Sequence, residues 1–147
     1  MSENVWLERA AGELAFMPRL SPRSAPANKT VLVVDDEPIV RELARRALTR
    51  RGYNVLEATS GEEGLAIFQR ERGQIDLLVT DIMMPGMNGL ELARQVLGQR
   101  SQVRVLYISA TNESSLRRWF QGQRPAFLQK PFLMEGLSAK VGDMLAG

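Results

Sequence analysis

The chain has 147 residues, a formal net charge of +2 and 24% charged residues, with neither cysteine nor histidine. Its length makes one domain the default. The missing residue types exclude disulfides, thiol catalysis, a histidine base and imidazole metal ligands, and they require that any histidine-borne phosphoryl group come from a partner.

The amino terminus lacks the features of a targeting segment. Glu3, Glu8 and Glu13 lie where a signal peptide would have a basic start and an apolar stretch. No apolar run approaches the ~18 residues that span a bilayer. These patterns predict a cytoplasmic protein without a membrane segment, and the mixed charges give no expectation of direct nucleic-acid binding.

Residues 1–29 differ from the rest of the chain. The segment RLSPRSAPANK, which begins at Arg19, has the composition of a flexible linker. Before it, apolar residues recur at helical spacing, which leaves two interpretations: a loosely packed tail, or a short amphipathic helix for docking or dimerisation. These apolar residues are Trp6, Leu7, Ala10, Ala11 and Leu14. A separate domain is expected over residues 30–147.

Strand and helix patterns alternate through this domain. TVLVVDDEP, residues 30–38, predicts a strand, an acidic turn and the start of a helix that Gly52 ends. Ser60 and Glu63 have the spacing of a capping box for a second helix. The remaining pattern predicts strands over 54–58, 76–81, 104–109 and 126–132, and helices over 61–70, 90–99, from about 114, and 134–145.

This alternation predicts a parallel sheet covered by helices on both faces. The expected fold class is α/β, a flavodoxin-like, doubly wound, five-stranded parallel sheet with five helices. By analogy with that fold, the strand order would be 2-1-3-4-5. The first and third strands would then be neighbours at the point where ligands bind, beyond their carboxyl ends.

Chemically capable side chains follow the ends of the strands. Asp35 and Asp36 follow the first strand, and Asp81 ends the third strand in LLVTDIMMPGMNG; Ser109 ends the fourth strand, and Lys130 follows the fifth. Three clustered carboxylates repel one another, and a hard divalent cation such as Mg²⁺ would relieve that repulsion. Lysine and serine can bind further phosphoryl oxygens, so Asp81 is the candidate nucleophile for an aspartyl phosphate.

The segments VLVVDDEP, LLVTDIMMPGMNG, YISA and FLQKPF together resemble the receiver domain of two-component response regulators over residues 30 to about 145. The resemblance implies that Asp81 is the phosphoacceptor, with Lys130 and Ser109 binding its phosphoryl group. It implies metal ligation by Asp36, Asp81 and the backbone carbonyl of Met83, with Asp35 acting through water. Ser109 and Phe127 would be the switch residues, whereas Glu37 would be a helix-start or outer-shell acid.

The resemblance also implies partners. A histidine kinase or a histidine phosphotransfer protein would donate the phosphoryl group, and a downstream protein target or a second copy in a homodimer would bind the switched face. Stand-alone receivers and receivers of hybrid histidine kinases both fit the motifs. The short fourth helix region ending in GQRP, and LMEG at the start of the last helix, depart from the usual pattern and put a standard dimer through that face in doubt.

Two other function classes are compatible with these residues. A phosphorylation-independent pseudo-receiver would bind partners without using Asp81. A Mg²⁺-dependent phosphatase that works through an aspartyl phosphate is less consistent with the sequence. Enzymes of the haloacid dehalogenase type have two aspartates separated by one residue after their first strand, whereas this chain has the adjacent Asp35 and Asp36 there and its isolated carboxylate, Asp81, on the third strand. We therefore expect a signalling phosphoacceptor that assists its own phosphorylation and dephosphorylation, rather than an enzyme.

Overall fold

The computed structural model describes residues 29–71, 73–121 and 123–146. Strands and helices alternate as the sequence predicts. The strands are β1 Thr30–Val34, β2 Asn54–Ala58, β3 Leu77–Asp81, β4 Arg104–Ser109 and β5 Ala126–Gln129. The helices are α1 Pro38–Arg50, α2 Gly61–Arg70, α3 Gly89–Gln99, α4 Glu113–Leu116, which continues as a 3₁₀ turn over Arg117–Phe120, and α5 Met134–Ala146.

The five strands form one parallel sheet in the order β2-β1-β3-β4-β5. This order confirms the predicted 2-1-3-4-5 arrangement of the flavodoxin-like fold. Residues Thr30–Val34 of β1 and Leu77–Asp81 of β3 are all buried, as expected for central strands with helices on both faces. Because β1 and β3 are hydrogen-bonded neighbours, the residues that follow them meet at one edge of the sheet.

Two apolar layers cover the sheet. One layer joins β1 and β3 to α1 and α5, through residues that include Ala44, Leu48 and Leu137. The other joins them to α2 and α3, through residues that include Phe68 and Leu92. The alternation of side chains along each strand divides the core in this way.

Local signals set the helix boundaries. Gly52, with a φ of 94°, follows the end of α1, as the sequence predicts. The Ser60 hydroxyl accepts a hydrogen bond from the Glu63 backbone N–H, but the Glu63 carboxylate accepts from the backbone N–H of Thr59 rather than from that of Ser60. The capping box is therefore shifted by one residue at its return bond.

Two predicted strand boundaries differ from the structure. The third strand begins at Leu77 rather than at 76, because the Asp76 carboxylate accepts a hydrogen bond from the Thr30 backbone N–H. The fifth strand ends at Gln129 rather than at 132, because residue 130 turns towards the acidic residues and Pro131 lacks an N–H to continue the ladder. Gln121, with a φ of 52°, follows the 3₁₀ turn after the one-turn α4.

Residues 1–28, for which the sequence allows either a loosely packed tail or a short amphipathic helix, lie outside the described residues. The division at residue 30 therefore stays a prediction. Within the described ranges, no helix is both long enough and apolar enough to cross a membrane.

Candidate functional site

Three carboxylates meet beyond the ends of β1 and β3. Each of Asp35, Asp36 and Asp81 offers an oxygen within 4.8 Å of the other two. Asp35 and Asp81 are buried, whereas Asp36 is exposed. The structure thus brings the predicted acidic residues together, with two inside the protein and one at its surface.

The two oxygens of Asp35 have different surroundings. Oδ1 accepts a hydrogen bond of 2.9 Å from the backbone N–H of Glu37, which fixes the turn between β1 and α1. Oδ2 is buried and lies 2.9 Å from Nζ of Lys130, yet no described residue gives it a well-directed hydrogen bond. A buried carboxylate oxygen with unfilled acceptor capacity is available to another ligand.

Lys130 connects β5 to this acidic cluster. Its Nζ lies 2.9 Å from Oδ2 of Asp35, 2.9 Å from Oε1 of Glu37 and 3.3 Å from Oδ2 of Asp81. Its backbone N–H donates a hydrogen bond of 2.8 Å to the carbonyl oxygen of Ser109. The pairing of β4 with β5 therefore places the ammonium group beside the candidate nucleophile.

The surroundings change the charge equilibria of these groups. Burial and, to a smaller extent, the neighbouring Asp35 carboxylate raise the pKa of Asp81, Lys130 opposes both effects, and the resulting pKa is about 6. Burial also raises the pKa of Asp35. Burial alone would lower the pKa of Lys130, but its contacts with Glu37, Asp35 and Asp81 outweigh that effect and raise it. Lys130 is therefore a constant positive charge beside Asp81 at neutral pH.

The acidic cluster has the chemistry of a magnesium site. Its donors are hard carboxylate oxygens, which Mg²⁺ prefers. The unfilled acceptor capacity of Asp35 Oδ2 and the repulsion that raises the pKa of Asp81 are both features that a divalent cation would relieve. These residues fit Mg²⁺. Met83, the other predicted ligand, lies two residues after Asp81 and is 60% exposed.

The predicted switch residues lie on β4, which pairs with β3, and on β5, which pairs with β4. Ser109, at the end of β4, is fully buried, and its hydroxyl oxygen accepts a hydrogen bond of 3.1 Å from the backbone N–H of Thr111. Phe127, on β5, is half-buried and pairs in register with Tyr107. The Tyr107 ring contacts the Phe120 ring edge-on, at a centroid distance of 5.1 Å. The aromatic pair thus connects β4 to the 3₁₀ turn.

Close packing fixes the loop from β3 to α3. A Cβ atom at Gly89 would lie 2.9 Å from the carbonyl carbon of Asp81 and closer still to its oxygen, so this position needs glycine. The Gly89 backbone N–H donates to the carbonyl oxygen of Ile82 at 2.9 Å. Glu62 of α2 accepts a hydrogen bond of 3.1 Å from the Met87 backbone N–H. The loop after Asp81 is therefore closed by a hydrogen bond between its two ends and held at Met87 by α2.

An open cavity borders this loop on its outer side. Residues 82–86, Asn88 and Trp119 line a volume of about 350 Å³. Trp119, on the 3₁₀ turn after α4, is 43% exposed. The β3–α3 loop and the α4 region thus share a solvent-accessible boundary.

Sequence reasoning assigned three residues too little importance. Glu37 contacts Lys130 directly, Glu62 binds the β3–α3 loop, and Gly89 allows that loop to pack beside Asp81. The acid at 37 was visible beside the aspartate pair, and Gly89 was visible as a turn residue. The contact of Glu62 carried no sequence signal, because it joins residues from separate elements.

Comparison with known proteins identifies the family of the domain. The family model described as "Response regulator receiver domain" matches residues 31–142. The sensor kinase CckA of Brucella abortus is 38% identical over 117 residues, which cover 79% of this chain and 12% of that protein. The response regulator MprA of Mycobacterium leprae is 37% identical over 116 residues, covering 78% of this chain and 50% of that protein. The chain thus spans half or less of the length of these two relatives.

Solved structures show the same likeness. The receiver domain of the hybrid histidine kinase CckA superposes with a TM-score of 0.67 at 38% identity, covering 79% of this chain and 98% of that one. The response regulator TrrA of Thermotoga maritima, solved with Mg²⁺ and BeF, gives a TM-score of 0.68 at 35% identity, covering 80% of this chain and 99% of that one.

Proposed function

The chain belongs to the response regulator receiver domain family, and from this premise we propose that it accepts a phosphoryl group on Asp81 and thereby switches a partner-binding face. The observation that carries the proposal is the placement of the Lys130 ammonium 3.3 Å from the Asp81 carboxylate, within the cluster of three acids.

The proposed transfer begins with a phosphohistidine of a histidine kinase or a histidine phosphotransfer protein. A carboxylate oxygen of Asp81 forms a bond to phosphorus as the P–N bond to the partner's imidazole breaks. The imidazole nitrogen keeps the electron pair of that bond and takes up a proton. Hydrolysis later transfers the phosphoryl group from Asp81 to water, which regenerates the carboxylate and releases inorganic phosphate.

Charge neutralisation is the main demand of this reaction. Lys130 is held beside Asp81 by its contact with Asp35 and can bind one phosphoryl oxygen. Ser109 presents a buried hydroxyl at the end of the adjacent strand, and its bond from Thr111 leaves its own proton free to be donated. These two residues are proposed to stabilise the phosphorylated form.

Asp36, Asp81 and the Met83 backbone carbonyl are proposed to hold Mg²⁺, with Asp35 acting through water. When bound, Mg²⁺ would neutralise negative charge on the phosphoryl oxygens. Two observations support this assignment: the buried Oδ2 of Asp35 receives no well-directed hydrogen bond from a described residue, and the carboxylates of Asp35 and Asp81 repel each other.

The proposed output is a shift between two arrangements of the face formed by α4, β5 and α5. Ser109 joins the site to this face, because its carbonyl oxygen accepts the Lys130 N–H and its hydroxyl oxygen accepts the Thr111 N–H. Phe127, which lies on β5 and pairs in register with Tyr107 of β4, is proposed to move with Ser109. A downstream protein target or a second copy would bind this face, in the cytoplasm.

Intact-protein mass spectrometry tests the proposal. The wild type, Asp81→Asn and the control Asp143→Asn, at an exposed acid of α5, are incubated with acetyl phosphate with and without Mg²⁺. We expect one added phosphoryl group in the wild type and in the control, only with Mg²⁺, and none in Asp81→Asn.

Other outcomes would favour the competing classes. If the wild type gained no phosphoryl group, Asp81 would not be a phosphoacceptor, and a phosphorylation-independent binding module would take precedence. Rapid multiple turnover of a small phosphoester would instead indicate a phosphatase, since a receiver releases its single phosphoryl group slowly.

A further inference from the structure

Glu37 binds the lysine of the site from the solvent side. Its Oε1 accepts a hydrogen bond of 2.9 Å from Nζ of Lys130, and its side chain is 59% exposed, whereas that of Lys130 is 13% exposed. Glu37 precedes α1 as its N-cap residue, yet its side chain makes no capping hydrogen bond. Its carboxylate is therefore committed to Lys130 rather than to the helix.

An ammonium group has three N–H donors. In this structure three carboxylates, those of Asp35, Glu37 and Asp81, surround the ammonium of Lys130. Of the three, Glu37 takes the well-directed hydrogen bond from Nζ, so a phosphoryl oxygen on Asp81 can gain this N–H donor when the Glu37 contact is given up. Asp35 is fully buried and its Oδ1 is held by the Glu37 backbone N–H, so its side chain cannot turn out into bulk solvent. The exposed Glu37 side chain can rotate into solvent.

We propose that Glu37 is a positioning residue that holds Lys130 in the unphosphorylated state and releases it when Asp81 is phosphorylated. This inference rests on the proposed function and adds a restraint to it. Glu37 neutralises part of the positive charge that the transferred phosphoryl group needs, so the contact slows phosphorylation and favours the unphosphorylated form.

The kinetic test compares Glu37→Gln with Glu42→Gln. Both changes remove one negative charge from α1 or its cap, but Glu42 pairs with Arg46 on the helix surface instead of with Lys130. Phosphorylation by acetyl phosphate is followed by mass spectrometry at saturating Mg²⁺ for each variant. We expect Glu37→Gln to be phosphorylated roughly fivefold faster than the wild type, a factor that corresponds to the free energy of one exposed ion pair. Glu42→Gln should be phosphorylated at the wild-type rate.

A second readout follows the contact itself. The chain contains three lysines, Lys29, Lys130 and Lys140, so its ¹⁵N ammonium spectrum is simple. The Lys130 signal, assigned with Lys29→Arg and Lys140→Arg variants, should shift in unphosphorylated Glu37→Gln. The same signal should nearly coincide in the wild type and Glu37→Gln once Asp81 is phosphorylated, since both have then lost the contact.

The outcomes separate this inference from the proposed function. Equal phosphorylation rates in the wild type and Glu37→Gln, or a Glu37 contact that persists in the phosphorylated wild type, would overturn the inference and leave the proposed function intact. Slower phosphorylation of Glu37→Gln would also overturn it, because Glu37 would then assist the reaction. Failure of the wild type to accept a phosphoryl group would overturn both.

Discussion

The ammonium of Lys130 lies 3.3 Å from the carboxylate of Asp81, although the two residues come from β5 and β3, with β4 between them in the sheet. The contact between the two side chains therefore connects β3 to β5 past the end of β4. It also partly offsets the cost of burying Asp81 next to Asp35.

Replacing Lys130 by alanine should destabilise the metal-free protein by about 3 kcal/mol, because removing one partner leaves two buried carboxylates uncompensated. Lys140→Ala, at a half-buried lysine of α5, is the matched control and should change the free energy of unfolding by less than about 1 kcal/mol. Urea denaturation in EDTA measures both. A Lys130→Ala protein as stable as the wild type would show that the ammonium does not stabilise the cluster.

Asp81 should make the metal-free protein less stable as the pH rises. Its folded pKa of about 6 exceeds the ordinary value of 3.8, so the folded state binds more protons between these two values, and stability falls as pH rises through this window. The raised pKa of Asp35 acts in the same direction. Asp81→Asn should therefore be more stable than the wild type by about 2 kcal/mol above pH 6, and nearly equal to it at pH 4.

Urea denaturation of both proteins from pH 4 to pH 8 in EDTA checks this difference. A stability gain of Asp81→Asn that did not depend on pH would contradict the electrostatic explanation.

Magnesium should stabilise the protein against heat, because a cation that binds the folded state shifts the unfolding equilibrium. Asp36 is exposed, so Asp36→Asn should retain the fold but bind Mg²⁺ roughly tenfold more weakly. Thermal denaturation over a Mg²⁺ titration measures the affinity. Asp143→Asn serves as the control for lost charge, and equal Mg²⁺ affinity in all three proteins would exclude Asp36 as a ligand.

Gly89→Ala should destabilise the protein by about 3 kcal/mol or more, because its Cβ atom would collide with the backbone of Asp81. Gly98, on the same helix, has open space around a built Cβ atom, so Gly98→Ala should stabilise the protein by up to about 1 kcal/mol. Comparing the two variants separates the effect of a steric collision from the effect of helix propensity. Chemical denaturation measures the free energy of unfolding of each variant. Similar stability changes in the two variants would argue against close packing at Gly89.

Ser109→Ala should still be phosphorylated on Asp81, but the segment after β4 should respond only weakly to the phosphorylation. The loss of the hydroxyl leaves the Thr111 N–H without its acceptor, at a cost of about 1 kcal/mol. Hydrogen exchange over residues 111–121, with and without phosphorylation, measures the response. Ser109→Thr retains the hydroxyl and should respond like the wild type; an equal response in Ser109→Ala would remove Ser109 from the proposed switch.

The sequence predicted the α/β class, the strand order and the meeting of Asp35, Asp36, Asp81, Ser109 and Lys130, because strand ends in a parallel sheet converge by topology. It did not predict where β5 ends, since a chain turn depends on the contacts of residue 130. The contact of Glu37 with Lys130 was also missed, because an acid before a helix is ordinarily interpreted as a cap. Such side-chain pairings depend on three-dimensional proximity that periodicity does not encode.

The position of Trp119 gives this protein an internal optical reporter. Its indole lines the same cavity as the loop that follows Asp81, and it is partly exposed to solvent. Indole emission depends on local polarity, so rearrangement of that loop should change the emission without an added dye. With Trp6, the other tryptophan, replaced by phenylalanine, fluorescence could follow occupation of Asp81 in real time.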